Sequence, residues 1–296
     1  MSIASPHRSE RPRLGVVLGG GGARAVAHIG VLLGLERAGL APDLVVGVSM
    51  GAVVAATYGA RDDWLGAFLS ADRSRLPARA GIDHDHAFAR MRGTLRSARR
   101  MAPTMWTLGR RGYQDYGRVL LSELLGDRDR FEDLRVPTAI TATDLADGER
   151  AVFHEGDVIS AVLASAAIPG ITRPVHRAGS TYIDGGFADP SPVDVARAMG
   201  ADVVVAIHVG HRQVSTEADS WATAMLRGFE ATQHQFANHR LATADHVVRP
   251  AFEDRVTMLD FSEAEEVARA GWSSVRAHTE AIRALLDAHR AAEVGS

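Results

Sequence analysis

The chain has 296 residues, of which 46% are hydrophobic and 23% charged, a composition typical of a globular protein with a large core. Its formal net charge of −3 argues against a general nucleic-acid binder, because no overall basic field attracts phosphates. The absence of cysteine excludes disulfides, thiolate metal sites and a cysteine nucleophile.

The first twelve residues are rich in Ser, Pro and Arg, and we predict that they form a disordered leader before one domain over residues 13–296. They lack the apolar h-region of a secretory signal peptide. No run of roughly eighteen or more apolar residues predicts a transmembrane helix. We therefore expect a cytoplasmic protein that can contact the inner face of a membrane peripherally.

The N-terminal part alternates short apolar strands with apolar helices. Leu14–Leu18 is a predicted strand that ends in four glycines, and an apolar helix follows and stops at Gly39. A second strand, DLVVGVS, leads directly into a helix of small residues, MGAVVAATYGA. Nearly continuous apolar strands that alternate with helices predict an α/β fold with a mainly parallel sheet and helices on both faces.

Residues 61–118 break this pattern. Arginines crowd between Arg73 and Arg111, with few acids, and Met, Leu and Trp are interleaved among them. We interpret this segment as a helical insertion over the core. It is either a solvated helical face or a lid that docks on anionic phospholipid, since such a mixture suits a helix at a membrane interface.

The α/β pattern then resumes. The segments PTAITATDL and GDVISAVLASAAI predict a strand and a helix, and a further strand ends in YIDGGFADP. The helix PVDVARAMG, the strand ADVVVAIHVG and a last short strand in ADHVVRPAF follow. Two long helices are predicted near Trp221–Arg240 and Ser262–Arg290.

Ser49 lies in a Gly-x-Ser-x-Gly motif between a predicted strand and a predicted helix. In a nucleophile elbow the flanking glycines, here Gly47 and Gly51, permit a tight turn that exposes the serine Oγ. The amides at the start of the following helix favour negative charge beside the serine. The alternative is a chance occurrence of the motif in a glycine-rich chain.

The glycine loop has three interpretations. A Walker A loop is excluded because no Gly-Lys-Ser/Thr follows. A dinucleotide site requires an acidic residue where the second strand ends, and Ser49 occupies that place. We prefer an oxyanion hole formed by the N–H groups of Gly20, Gly21 and Gly22, because loops that follow neighbouring parallel strands meet at one sheet edge.

A serine nucleophile needs a base, and two kinds are available. Asp184 follows a predicted strand, and Gly185 and Gly186 permit a sharp turn that brings its carboxylate to another loop. Asp-Gly-Gly is also an ordinary turn sequence. Alternatively, Ser49, Asp184 and either His208 or His211 would form a histidine-dependent triad, as in an α/β-hydrolase esterase.

Taken together, GGGGARA, GVSMG and DGG, in this order, resemble the patatin-like phospholipases. The segments HIGVLLGLERAGL, ATDLADG, ASAAIPGITRPV and IDGGFADPSPVDVARAMGADVVVAI are similar to the bacterial members and the neuropathy-target-esterase branch. The resemblance covers about residues 14–250 except the arginine-rich insertion. It implies a three-layer fold and hydrolysis of lipid esters, chiefly phospholipids or lysophospholipids, by a Ser–Asp dyad without a metal or nucleotide cofactor.

The resemblance also implies roles for individual residues. Ser49 would be the nucleophile and Asp184 the base. The supporting residues are those of the two motifs and the loops beside them: Gly20, Gly21, Gly22, Arg24, Gly47, Gly51, Gly185 and Gly186.

The chain departs from the family pattern at two positions and leaves one alternative open. Ala25 stands where the family loop usually has Gly, and Val48 where Thr is common.

A non-catalytic, membrane-associated regulator on the same fold is the remaining alternative. A metal site at His84-Asp85-His86 is a weak signal, because no further spaced ligands accompany the cluster.

Overall fold

A computed structural model of the chain describes residues 11–71, 109–210, 221–252, 256, 258 and 261–294. The strands of its sheet are β1 (Leu14–Leu18), β2 (Leu44–Val48), β3 (Thr138–Asp144), β4 (Arg150–Phe153), β5 (Val175–Arg177), β6 (Ser180–Ile183), β7 (Val203–Ile207) and β8 (His246–Val248). The α-helices are α1 (Ala27–Arg37), α2 (Met50–Ala60), α3 (Trp64–Ser70), α4 (Gly109–Leu125), α5 (Val158–Ser165), α6 (Val193–Ala198), α7 (Trp221–Leu241), α8 (Ala264–Val275) and α9 (Thr279–Val294).

The predicted parallel sheet is confirmed. Its strand order is β5-β6-β3-β2-β1-β7-β8, and the pairs from β3 to β8 are all parallel. Every residue of β1, β2 and β7 is buried, as expected for strands covered on both faces. The antiparallel strands β4 and β5 were not predicted, because they are short, half-exposed and lack an apolar run.

Helices cover both faces of the sheet, in agreement with the predicted three layers. Successive strand residues alternate between the faces: Val16 packs in the core formed with α1, α8 and α9, whereas Val17 packs against α6 and α7. Helices α2, α4 and α5 enclose a third cluster around Ile140 of β3. Because β1 and β2 are paired in parallel, with Leu18 opposite Gly47, their carboxyl ends are neighbours at one edge of this sheet.

Strand β3 lies between the two halves of the candidate site. Val48 of β2 is paired with Thr141, and Ile183 of β6 is paired with Thr143. Strand β2 is parallel to β3, so Ser49, the residue after Val48, lies at the level of Ala142. Strand β6 is antiparallel to β3, so Asp184, the residue after Ile183, reaches the same level from the other end of β3. This register brings Ser49 and Asp184 to the same level of the sheet.

The C-terminal region differs from the single long helix predicted after residue 262. Helices α8 and α9 are separated by a turn at residues 276–278, although the helical pattern continues through it. The turn directs α9 onto the core, where Ile282 is fully buried. It also places the His278 ring 2.9 Å (Nδ1) from His246 Nε2 in β8.

The leader and the insertion lie largely outside the described residues. Arg11 is described and forms an ion pair with Asp43 at 2.6 Å. Helix α3 and the first part of α4 flank residues 72–108, which are outside the described part, so the lid interpretation stays a prediction. In the described part of the chain, no helix is both long and apolar enough to cross a membrane.

Helices α1 and α8 cross closely because small residues meet at the contact. A Cβ atom at Gly30 would overlap the Ala268 carbonyl, and one at Gly271 would overlap the Ala27 carbonyl. We expect Gly271→Ala to lower the free energy of unfolding by about 1–3 kcal/mol, because the helices must separate. Urea unfolding followed by circular dichroism measures this change.

A matched control is available in α7. Gly228 is exposed, and a Cβ there would have no neighbour within 4 Å. Gly228→Ala should therefore raise the free energy of unfolding by about 0.5–1 kcal/mol through helix propensity alone. Equal effects of the two substitutions would contradict the close α1–α8 contact.

Candidate active site

Ser49 occupies a strained turn between β2 and α2. Its backbone angles are φ 55° and ψ −127°, in a region that side-chain-bearing residues rarely adopt. A Cβ atom at Gly51 would overlap the Leu18 carbonyl, and one at Gly47 would overlap the backbone of Ala52. The two glycines therefore let α2 pack directly on the strand ends. The unfavourable backbone conformation of the turn falls on Ser49.

The Ser49 hydroxyl donates a hydrogen bond of 2.6 Å to Asp184 Oδ2. Both side chains are buried, with relative exposures of 6% for Ser49 and 1% for Asp184. The other carboxylate oxygen, Oδ1, accepts the N–H of Gly186 at 2.8 Å. The predicted Ser49–Asp184 juxtaposition is thus present across 135 residues of sequence.

Burial raises the pKa of Asp184 from 3.8 to about 6. The hydrogen bonds from the Ser49 hydroxyl and the Gly186 N–H oppose this shift, since they stabilise the carboxylate. Above this pKa, Asp184 is ionised and can accept a proton from the hydroxyl that it contacts. A base with a pKa near the working pH suits proton transfer in catalysis.

The Asp-Gly-Gly loop is held against β3 by a buried hydroxyl. Thr143 Oγ1 donates to the Asp184 carbonyl at 2.8 Å and accepts the N–H of Ala188 at 3.0 Å. A Cβ at Gly185 would overlap the Thr141 carbonyl, and one at Gly186 would overlap the Gln233 side chain. The glycines therefore allow the loop to lie directly on β3 and α7.

The glycine loop lies beside Ser49, and its N–H groups differ in their availability. Gly20 is close enough that an added Cβ would be 3.6 Å from Ser49 Cβ. Its N–H is one of the three predicted oxyanion donors, but it donates to the Pro190 carbonyl at 3.3 Å. Within the described residues, no hydrogen bond to another loop or strand occupies the N–H groups of Gly21 and Gly22.

Arg24 follows this loop and is buried against α7. Its Nη2 donates to Glu230 Oε1 at 2.8 Å, and Arg227 also pairs with Glu230, through Oε2. Burial lowers the pKa of Arg24, and the Glu230 carboxylate opposes that shift. Glu230 could not be predicted from the sequence, because no local pattern links it to Arg24, 206 positions away.

Helix α7 contacts both loops of the candidate site. In addition to the Glu230–Arg24 pair, the Phe229 ring stacks on Phe187 with 4.0 Å between the ring centroids. One turn further along α7, the Gln233 side chain packs closely against Gly186.

Histidines take no part in the Ser49–Asp184 contact within the described residues. His28 Nε2 binds the Gly19 carbonyl at 2.8 Å, and the His208 ring lies 5.8 Å from that of His234. Burial lowers the pKa of both His28 and His208 to about 4. His211, the other candidate base, is outside the described part.

The described residues contain no group of three or more side chains that could hold a metal ion. The His84-Asp85-His86 cluster falls outside them.

More than half of the chain matches one known family. The profile of the patatin-like phospholipases matches residues 16–197, from the first strand to α6. The chain belongs to this family. In this patatin-like chain, the family glycine after the loop is replaced by Ala25, which is fully buried in a 3₁₀ turn and has no positive φ. The replacement therefore introduces no backbone strain.

Several curated proteins are similar to this patatin-like chain. Lysophospholipase nte1 of Aspergillus fumigatus is 32% identical over 71% of the chain, and human patatin-like phospholipase domain-containing protein 6 is 32% identical over 70%. The chain spans only 13% and 14% of these two proteins. An uncharacterized NTE family protein of Mycobacterium tuberculosis is 28% identical over 75% of this chain and 58% of its own length.

Among solved structures, human GIVD cytosolic phospholipase A2 aligns with 95% of this chain and 63% of its own, with 12% identity and a TM-score of 0.49.

The burial of Asp184 predicts a specific pH dependence of stability. Because its folded pKa is raised from 3.8 to about 6, the folded state retains a proton that the unfolded state has already lost between these values. The wild type should therefore lose about 2 kcal/mol of unfolding free energy relative to Asp184→Asn as the pH rises from 4 to 7. A difference that stays constant over this range would contradict the raised pKa.

Proposed function

We propose that the chain is a serine lipid acyl hydrolase that cleaves phospholipid or lysophospholipid esters, with Ser49 as nucleophile and Asp184 as base. The observation that carries the proposal is the 2.6 Å hydrogen bond from the Ser49 hydroxyl, at a strained strand–helix turn, to a buried carboxylate. Membership of the patatin-like phospholipase family and the similarity to a lysophospholipase support the choice of a lipid ester.

In the first half of the reaction, Asp184 Oδ2 accepts the Ser49 proton while Oγ attacks the ester carbonyl carbon. The carbonyl oxygen becomes an oxyanion, which the N–H groups of Gly21 and Gly22 stabilise. The tetrahedral intermediate then collapses. The C–O bond to the alcohol breaks, Asp184 returns its proton to the leaving oxygen, and the fatty acyl group stays on Ser49 as an ester.

The second half repeats the same proton transfers with water. Asp184 accepts a proton from a water molecule, whose oxygen attacks the acyl-serine carbonyl. The oxyanion again faces the glycine loop. Collapse breaks the bond to Ser49 Oγ, which takes the proton back from Asp184, and a free fatty acid leaves.

An apolar surface next to the dyad supports an acyl substrate. Phe187, which follows the Asp-Gly-Gly turn, is 43% exposed and stacks on Phe229. Met225, one helical turn before Phe229, is 70% exposed. Large apolar side chains exposed shortly after Asp184 and on the helix that stacks against Phe187 provide a surface for a hydrocarbon chain.

A fluorophosphonate probe tests the dyad directly. We expect the probe to label Ser49, as mapped by peptide mass spectrometry, and Asp184→Asn to slow labelling at least about a hundredfold, since a general base contributes that much or more. The matched controls His208→Asn and His211→Asn should label at the wild-type rate. The wild type should also release fatty acid from lysophosphatidylcholine micelles.

Each contrary outcome identifies a different error. If a histidine variant lost labelling while Asp184→Asn kept it, the base would be that histidine. A folded wild type that neither labels nor releases fatty acid would favour the non-catalytic regulator.

The pKa of Asp184 predicts the pH profile of turnover. Because only the carboxylate can accept the Ser49 proton, kcat/KM should fall about tenfold per pH unit below a midpoint near the Asp184 pKa of about 6. Lysophosphatidylcholine is a suitable substrate, since its zwitterionic head group does not titrate between pH 5 and 8. A flat profile over this range would contradict a base with the raised pKa, and the Asp184→Asn labelling rate would then decide whether Asp184 is the base.

A further inference from the structure

A second buried serine lies beneath the elbow. Ser165 is the last residue of α5, and its side chain is fully buried. Its Oγ lies 2.7 Å from the backbone nitrogen of Ser49 and 2.7 Å from the carbonyl oxygen of Thr141. These two contacts could not be predicted from the sequence, because the partners are 116 and 24 residues away.

The two contacts fix the orientation of the Ser165 hydroxyl. A backbone carbonyl can only accept, so the hydroxyl proton is donated to Thr141. The oxygen lone pairs then face Ser49 and accept its N–H. A single chain of hydrogen bonds therefore runs from the nucleophile's backbone through Ser165 to β3.

These hydrogen bonds hold Ser49, the residue of the site with a strained backbone. The positive φ of Ser49 persists only if the surrounding structure holds it there. The N–H of Ser49 is buried, and leaving such a group without an acceptor is costly. Without the Ser165 hydroxyl, the peptide at Ser49 would turn toward another acceptor, and the Oγ atom would move away from Asp184.

Strand β3 also holds Asp184 through a buried hydroxyl. The Thr143 hydroxyl bridges the Asp184 carbonyl and the Ala188 N–H, two residues along β3 from the Thr141 carbonyl. Each member of the Ser49–Asp184 pair is therefore hydrogen-bonded to β3 through a buried hydroxyl. For Ser49 this hydroxyl belongs to Ser165, and for Asp184 it belongs to Thr143.

We infer that Ser165 is a positioning residue, whose hydroxyl holds the Ser49 backbone so that Ser49 Oγ stays in hydrogen-bonding contact with Asp184. The inference rests on the proposed function, because it assigns Ser165 a role in the reactivity of Ser49. A purely structural role, such as ending α5, would change the stability of the fold and leave the reactivity of folded molecules unaltered.

The test compares the fluorophosphonate labelling rate of folded wild type, Ser165→Ala and Ser165→Cys. Alanine removes the hydroxyl and should slow labelling at least about tenfold, a factor that corresponds to about 1.4 kcal/mol. Cysteine keeps a weak acceptor of similar shape and should give an intermediate rate. Ser191→Ala is the matched control: Ser191 is equally buried, its Oγ has no hydrogen-bond partner among the described residues, and labelling should be unchanged.

A second readout separates positioning from stability. The Ser49 hydroxyl lowers the pKa of Asp184, so a displaced Ser49 should move the midpoint of the labelling–pH profile upward in Ser165→Ala. A structural role would leave this midpoint in place. The KM for lysophosphatidylcholine should stay within about twofold of the wild type while kcat falls, since only the reacting geometry changes.

The outcomes distinguish the inference from the proposed function. Labelled wild type together with a folded Ser165→Ala that labels equally fast would overturn the inference alone. If the alanine variant does not fold, a wild-type labelling rate in a folded Ser165→Gly, which also lacks the hydroxyl, would have the same meaning. Wild-type protein that is not labelled at Ser49 would remove the proposed function, and the inference with it.

Discussion

A short hydrogen bond between a buried serine and a buried aspartate is possible only if two distant loops reach the same level of the sheet. Ser49 follows a strand parallel to β3, and Asp184 follows a strand antiparallel to it. The change of strand direction at β3 therefore allows two strand ends to meet from opposite sides. The antiparallel edge is thus part of the site's geometry, although it forms the less buried half of the sheet.

The site concentrates several energetically unfavourable features that the rest of the fold must offset. The positive φ of Ser49 costs on the order of 1–3 kcal/mol of conformational free energy. Burial also removes the ionised Asp184 carboxylate from water. The loops around them are rich in glycine, which loses the most conformational entropy on folding. The three fully buried strands β1, β2 and β7 supply the apolar burial that makes this arrangement tolerable.

What could be predicted from the sequence was encoded locally. The strand–turn–helix around Ser49 and the turn after Asp184 are short segments whose glycines indicate their conformation, and the parallel strands are continuous apolar runs. Glu230 and the Ser165 hydroxyl were not predictable, because each acts through a partner more than a hundred residues away. The Gly20 N–H illustrates the same limit: its acceptor, the Pro190 carbonyl, belongs to a distant loop.

The contacts of α7 have a consequence for how the site responds to the rest of the molecule. One helix touches the glycine loop through Glu230 and the Asp-Gly-Gly loop through Phe229 and Gln233. The packing of this helix therefore bears on both sides of the nucleophile, so a substitution that displaces α7 would alter the surroundings of the glycine loop and of the Asp-Gly-Gly loop together.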